Sequence, residues 1–297
     1  MSVVVPGPDT LHLQRSMLER RALRNGLLTG ATWVAAVVAG IPLVSVLYML
    51  VVRGGRRLSW EALSSLPPAG FEMGGGFGNA IAGTIIMVGL GGLVSIPVGV
   101  LAAVYLAELG PGSQLARIAR FATKTLTGIP SILAGVFAYA AVVLLTGTYS
   151  APAGGLALAV LMVPTVVLTA EEAIKAVPKI TRDAAYGMGC TRSQVIWKVL
   201  LPTALPGILT GVMLAIARAA GETAPLLFTA LFSSYWLVEG GVPRLMQPTA
   251  SLAVLIYNFS GMPFDNQIEL AWAASLVLVL IVLVINVTAR LLGRRRI

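Results

Sequence analysis

Six stretches of the chain are apolar enough, and long enough, to cross a lipid bilayer as helix. They cover residues 26–52, 80–106, 126–145, 154–170, 207–232 and 270–292, each near the ~20 residues a hydrocarbon core requires. Their apolar positions run all round the helix rather than along one stripe, as lipid-embedded helices require. Gly89, Gly91, Gly92 and Pro97 interrupt the second stretch, which would weaken a helix in water but is tolerated in lipid. The glycines of the third stretch and Pro130 are read first as packing and a helix bend rather than as substrate contacts. Residues 249–259 form a seventh apolar run of about half a span, which is expected at the interface or as a short re-entrant piece. No internal repeat stands out.

Composition agrees with this pattern. The 297 residues are 57% hydrophobic and 11% charged, against about 25% charged in a soluble domain. The expected fold is therefore an all-α polytopic membrane protein with six transmembrane helices. Residues 1–25 form a polar tail, residues 26–292 the membrane domain with a polar loop at 181–204, and residues 293–297 a basic tail. The first stretch follows a long polar tail and has no small-residue cleavage site, so it reads as a retained span.

Charge then orients the chain. If the N-terminus is cytoplasmic, sixteen Lys and Arg fall on that side, from Arg15 through Arg296, and only Arg53, Arg56, Arg57 and Arg244 on the other. The positive-inside bias puts both termini in the cytoplasm, with the cluster at 53–57 as a local violation. The net charge of +9 is thus explained by loops flanking spans, and nucleic acid is not an expected partner. One cysteine, Cys190, excludes an intrachain disulfide. The single histidine, His12, lies in the polar tail, so a histidine metal site is not expected. His12 and Cys190 both lie outside the spans, and no base accompanies the isolated Ser and Thr residues, which argues against an intramembrane enzyme.

The loop between the fourth and fifth stretches has internal order. Gly189 can end one helix in the left-handed conformation. Thr191 and Gln194 have the spacing of a capping box that opens a second, with Val195, Ile196, Val199 and Leu200 as its apolar stripe and Pro202 as its expected stop. An amphipathic linker on the headgroups and a partner-docking helix both fit these features.

Charge inside the fifth stretch demands a separate account. Arg218 and Glu222 are four residues apart in "AIARAAGETAPLL", where each would cost roughly 2.5–3.5 kcal/mol at a bilayer centre. They share one helix face. Arg218 would lie roughly 17 Å into a helix that begins at Gly207, and Pro225 would kink that helix beside Glu222. A self-satisfied ion pair locking two helices is one reading. A transport path is the other, because intramembrane charges facing a cavity usually mark one. Arg suits tetrahedral oxyanions. A neighbouring carboxylate suits an anion that carries a proton, as phosphate does and sulfate does not.

Several of these segments resemble one family. Asp183-Ala184-Ala185, then Gly189, then Val199-Leu200-Leu201-Pro202, is similar to the "EAA" loop of ABC-importer permeases, with Asp for the usual Glu and Val for the usual Ile. "ARAAGETAPLLFTALF" (217–232), "LTGIPSILAGVF" (126–137), "NAIAGT" (79–84), "SLAVLIYNFS" (251–260) and "ELAWAASLVLVL" (269–280) resemble phosphate ABC-importer permeases of the PstA type. The resemblance runs over residues 25–292 and implies a MetI-like type I importer fold. It implies that Arg218, Glu222 and Thr223 line a translocation path. It further implies that Asp183, Ala184, Ala185, Gly189, Val199, Leu201 and Pro202 couple to an ATPase. The implied partners are a homologous permease (PstC-type), two copies of an ATP-binding subunit (PstB-type), a phosphate-binding receptor outside the membrane (PstS-type) and the lipid bilayer. The chain has no G-x-x-x-x-G-K-[ST] phosphate loop, so ATP is expected on the partner ATPase and no cofactor on this chain. Permeases for phosphonate, sulfate or molybdate remain alternatives, as does an ion-coupled transporter or channel.

Overall fold

The computed structural model describes residues 8–239 and 242–294. Arg295 and Arg296 lie outside them, and so do the side chains of Arg15, Arg20, Arg290, Arg294 and His12. The chain divides into two units, residues 1–52 and 53–297. In the first unit α1 (Pro8–Met49) is a single helix that carries Pro42 without a break and begins within the polar N-terminal segment. It passes into a π-helical turn, Leu50–Gly54.

The second unit is built almost wholly from helices. It opens with α2 (Gly55–Arg57) and α3 (Trp60–Ser64), the latter capped by Ser59, whose hydroxyl accepts from Ala62 N–H. The second apolar stretch is α4 (Gly78–Val104), extended by a π-helical turn at Tyr105–Leu109. The third is divided. α5 (Gln114–Gly128) and α6 (Ser131–Ala138) meet at Ile129-Pro130 with a bend of 106°. A further π-helical turn, Tyr139–Val143, leads on to α7 (Leu144–Thr146). The straight third span expected at 126–145 is therefore replaced by an elbow. Pro130 holds its own φ near −55° and keeps the residue before it extended, with Ile129 at ψ 138°.

α8 (Ala151–Lys175) is the fourth stretch, opened by Ser150 as N-cap and Pro152 in the first turn. The polar loop contains α9 (Lys179–Gly187) and α10 (Arg192–Gln194), followed by a π-helical turn at Val195–Leu200 that passes directly into α11 (Leu201–Ala220). Pro202 does not stop the helix as expected. The wide turn before it leaves Pro202 in the first turn of α11, where a missing N–H is tolerated. After Gly221 the short α12 (Ala224–Leu227) begins. A two-residue antiparallel pair, β1 (Val238–Glu239) with β2 (Val242–Pro243), follows. Then come α13 (Leu252–Ser260) and α14 (Asp265–Arg294).

Among the described residues five helices are long and apolar enough to cross a membrane, six when the bent α5–α7 segment counts as one. α8 is the most enclosed of the five, with 61% of its span buried. Its Leu158, Met162 and Val166 share one core with Met87 of α4 and with Val212 and Ala215 of α11. Small residues bring α4 and α8 together: a Cβ on Gly91 would stand 3.1 Å from Gly155 O. A second core joins α13 to α14 through Leu252, Leu255, Phe259, Leu270 and Ala274. The half-span at 249–259 is thus buried in the protein rather than laid along a surface.

Candidate functional site

Arg218 and Glu222 come together, with Arg218 Nε 3.5 Å from Glu222 Oε1. The fifth span is present but shifted: continuous helix runs from Arg192 to Ala220 and not over 207–232 as expected. α11 ends at Ala220, and its last turn tightens through Gly221 N–H to Arg218 O and Glu222 N–H to Ala219 O. Glu222 and Thr223 therefore sit on irregular backbone between α11 and α12. The expected kink at Pro225 is a full break. Pro225 lies in the first turn of α12, where a residue without an N–H is tolerated, and Thr223 O accepts from Leu226 and Leu227 N–H. Arg218 occupies the last turn of α11, so its charge opposes the negative end of the helix dipole. Its side chain is 47% exposed and that of Glu222 16%.

The elbow of the third stretch supports this break. Gly135 of α6 lies directly on the Pro225 backbone, so the two interrupted segments brace each other. An apolar cavity of about 620 Å³ between α4, α11 and α14 is lined by Val88, Leu93, Ile96, Ile216 and Ile281. It holds no charged group and offers an anion nothing.

The 181–204 loop forms the helix pair that the sequence implies. Gly189 has φ +80°. Thr191 and Gln194 make the full capping box: Gln194 N–H donates to the Thr191 hydroxyl, and Thr191 N–H donates to Gln194 Oε1 at 2.9 Å. The apolar stripe faces inward, however. Val195, Ile196 and Leu200 are buried in the main core with Ala185, and Val199 packs against it with Leu201. Asp183, Ala184, Gly189 and Pro202 are exposed. The apolar side chains left on the open face are Ile180, Tyr186, Met188 and Trp197, which the stripe pattern did not single out.

Charges at the same end of the bundle were also missed. Glu171, buried at the end of α8, receives Arg120 Nε at 2.7 Å and Lys175 Nζ at 2.7 Å on one oxygen. Glu108 stands 3.0 Å from Arg182. At the opposite end, Arg53 lies 5.4 Å from the Trp272 ring centroid, a cation–π distance. Arg57 donates to Asn266 Oδ1 at 3.1 Å, and Asn266 Nδ2 donates to Glu72 O and Gly74 O. Two members of the charge-rule violation are thus engaged with α14.

Comparison with known proteins decides the family. A family model described as the binding-protein-dependent transport system inner membrane component matches residues 95–297. The chain belongs to the binding-protein-dependent transport permeases. Among these permeases it is 39% identical over 273 residues to the phosphate transport system permease protein PstA of Haemophilus influenzae, covering 91% of this chain and 94% of that one. It is 40% identical over 254 residues to PstA of Yersinia pestis, covering 86% and 84%. A probable PstA of Methanocaldococcus jannaschii is 35% identical over 270 residues, covering 91% and 94%. Within the family, this permease is of the PstA type. Its fold is also that of solved ABC-transporter permeases. An inward-facing MetNI methionine transporter matches with TM-score 0.59 at 22% identity, covering 74% of this chain and 93% of that one. A bacterial alginate ABC transporter matches with TM-score 0.65 at 15% identity, covering 93% and 96%.

Proposed function

We propose that this chain is a permease subunit of an ATP-driven phosphate importer. One observation carries the reading: a planar cation and a carboxylate, Arg218 and Glu222, meet where α11 breaks. Relatives that share more than a third of its residues over nine-tenths of the chain are named as phosphate permeases, which supports phosphate as the cargo. Arg218 supplies a fixed positive charge and a fork of donors to phosphate oxygens. Glu222 accepts from a P–OH group and balances Arg218 when no anion is bound. Thr223, next in the irregular segment, adds a hydroxyl.

The chain itself does no covalent chemistry in this scheme. It pairs with a homologous PstC-type permease and receives phosphate from a PstS-type receptor outside the membrane. Two PstB-type subunits bind and hydrolyse ATP, docking on the 181–204 loop. Both termini are cytoplasmic, in a bacterial inner membrane. Closure of the ATPase pair alternates access to the site.

Labelled-phosphate uptake tests this in cells lacking their own importer and supplied with the partner subunits. Wild type takes up phosphate in excess sulfate, and Arg218→Gln, present at the same membrane level, does not. Uptake unchanged in Arg218→Gln removes the pair from the path. Uptake abolished by sulfate in wild type removes phosphate as the preferred cargo.

A further inference from the structure

The π-helical end of α4, Tyr105–Leu109, gathers arginines from three other elements. Arg120 of α5 donates through Nη2 to Leu106 O at 2.6 Å and through Nη1 to Pro111 O at 2.9 Å, while its Nε holds Glu171 of α8. Arg182 of α9 stands 3.0 Å from the Glu108 carboxylate and donates through Nη2 to Ile174 O at the end of α8. Arg192 of α10 donates to Glu108 O. Carbonyls at a helix end have no partner within the helix. Here arginines from the loop and from α5 supply it.

This arrangement gives the 181–204 loop two routes into the bundle. One is covalent, because α10 runs through a π-helical turn straight into α11 and so to Arg218. The other crosses space from Arg182 and Arg192 to Glu108 and hence to α4. A loop joined to α11 alone would tilt that helix and leave α4 behind. Joined to both, it moves the two flanks of α8 together.

The second route is also incompletely satisfied. Glu108 Oε1 is buried beside Arg182 yet makes no aligned hydrogen bond, and Arg182 Nε is buried without a partner. Charge is matched, but the fork is not seated on the carboxylate. A bidentate fit is the stronger geometry for such a pair, so a small rotation of α9 against α4 has a local reward. The Arg120–Glu171 pair, at 2.7 Å with a full hydrogen bond, fixes the α4–α5–α8 frame against which that rotation acts.

We propose that Glu108 and Arg182 form a clasp that transmits movement of the docking loop to α4, and that both are positioning residues for transport. The proposal rests on the reading of the 181–204 loop as the ATPase-docking element. Its test uses the full complex in proteoliposomes, with the receptor inside the assay and phosphate moved per ATP hydrolysed as the readout. Glu108→Gln and Arg182→Gln, which keep most of the side-chain volume, are expected to lower that ratio about ten-fold, a size typical of a coupling free energy. The ATPase still co-purifies and still hydrolyses ATP. Arg182→Lys, which keeps the charge without the fork, is expected to fall between them and wild type.

An unchanged ratio in Glu108→Gln overturns the clasp. Loss of co-purification together with hydrolysis also overturns it, since the pair would then be holding the fold alone. If Glu108→Gln fails to reach the membrane, Arg182→Lys decides on the same ratio. Failure of the docking reading looks different: receptor-stimulated hydrolysis is then the same in the Gly189→Arg complex as in wild type, and the clasp falls with it.

Discussion

The backbone of Pro225 occupies the space that a side chain at position 135 would need. A Cβ on Gly135 would stand 2.6 Å from Pro225 Cα and 2.9 Å from Pro225 O. Gly135→Val must therefore push α6 off α12 and displace the irregular segment bearing Glu222 and Thr223. The expected cost is about 1–3 kcal/mol, the usual range for overpacking. Thermal unfolding of the purified complex reads that cost. Phosphate uptake should fall further than membrane abundance does. Wild-type uptake in Gly135→Val would show that the α6–α12 contact does not position the site.

Glu222→Gln separates the two roles of the Arg218 pair. With Arg218 47% exposed, the ion pair contributes less than about 1 kcal/mol to stability, and the melting temperature should hardly move. Uptake should drop, and sulfate should now compete, because the charge that repels a fully ionised anion is gone. Competition assays with labelled phosphate and rising sulfate decide it. A variant that unfolds while remaining selective would make the carboxylate a structural partner only.

Gly189 has φ +80° with nothing within 4 Å of a built Cβ. Alanine there costs conformation rather than space, about 1–2 kcal/mol for a left-handed residue. Gly189→Ala should leave phosphate uptake measurable, whereas Gly189→Arg, which adds a long cation to the exposed face, should abolish stimulation of the ATPase. Receptor-stimulated ATP hydrolysis is the readout. Full stimulation in Gly189→Arg would count against docking through this loop.

Asn79 is buried and donates through Nδ2 to Ser233 O at 2.8 Å and Tyr235 O at 3.2 Å, tying the start of α4 to the segment after α12. Asn79→Leu orphans these carbonyls at an expected cost of about 1–3 kcal/mol. Limited proteolysis of the variant should open residues 233–249 before any other segment. Protection equal to wild type would place the restraint elsewhere.

Long apolar runs made α4, α8 and α14 legible from the sequence alone, because composition over some twenty residues outweighs any single Gly or Pro. The two breaks were concealed by the same averaging. Gly128-Ile129-Pro130 and Gly221-Glu222-Thr223 sit within runs whose mean hydropathy carries straight on across them. Pro130 and Pro225 marked the places, but not that the chain would turn by 106° at the first or end a helix at the second. In the candidate site, a separation of four residues was enough to pair Arg218 with Glu222, although the helix that the spacing assumed ends at Ala220 and the pair forms across its last turn. Glu171 and Arg120 are 51 residues apart, and no local rule joins them. The Val195–Leu200 stripe was visible as a stripe, yet periodicity does not say which of two apolar surfaces it meets, and it meets the protein's own core.

The Arg57–Asn266 hydrogen bond has a consequence for synthesis. Asn266 follows Arg57 by 209 residues, so at ribosomal speeds of roughly 5–20 residues per second Arg57 waits about 10–40 s for its acceptor. Throughout that interval Arg53 and Arg57 both lack the partners on α14, Trp272 and Asn266, that they hold in the folded chain. The junction at residues 53–57 is thus finished last, only after α14 has emerged.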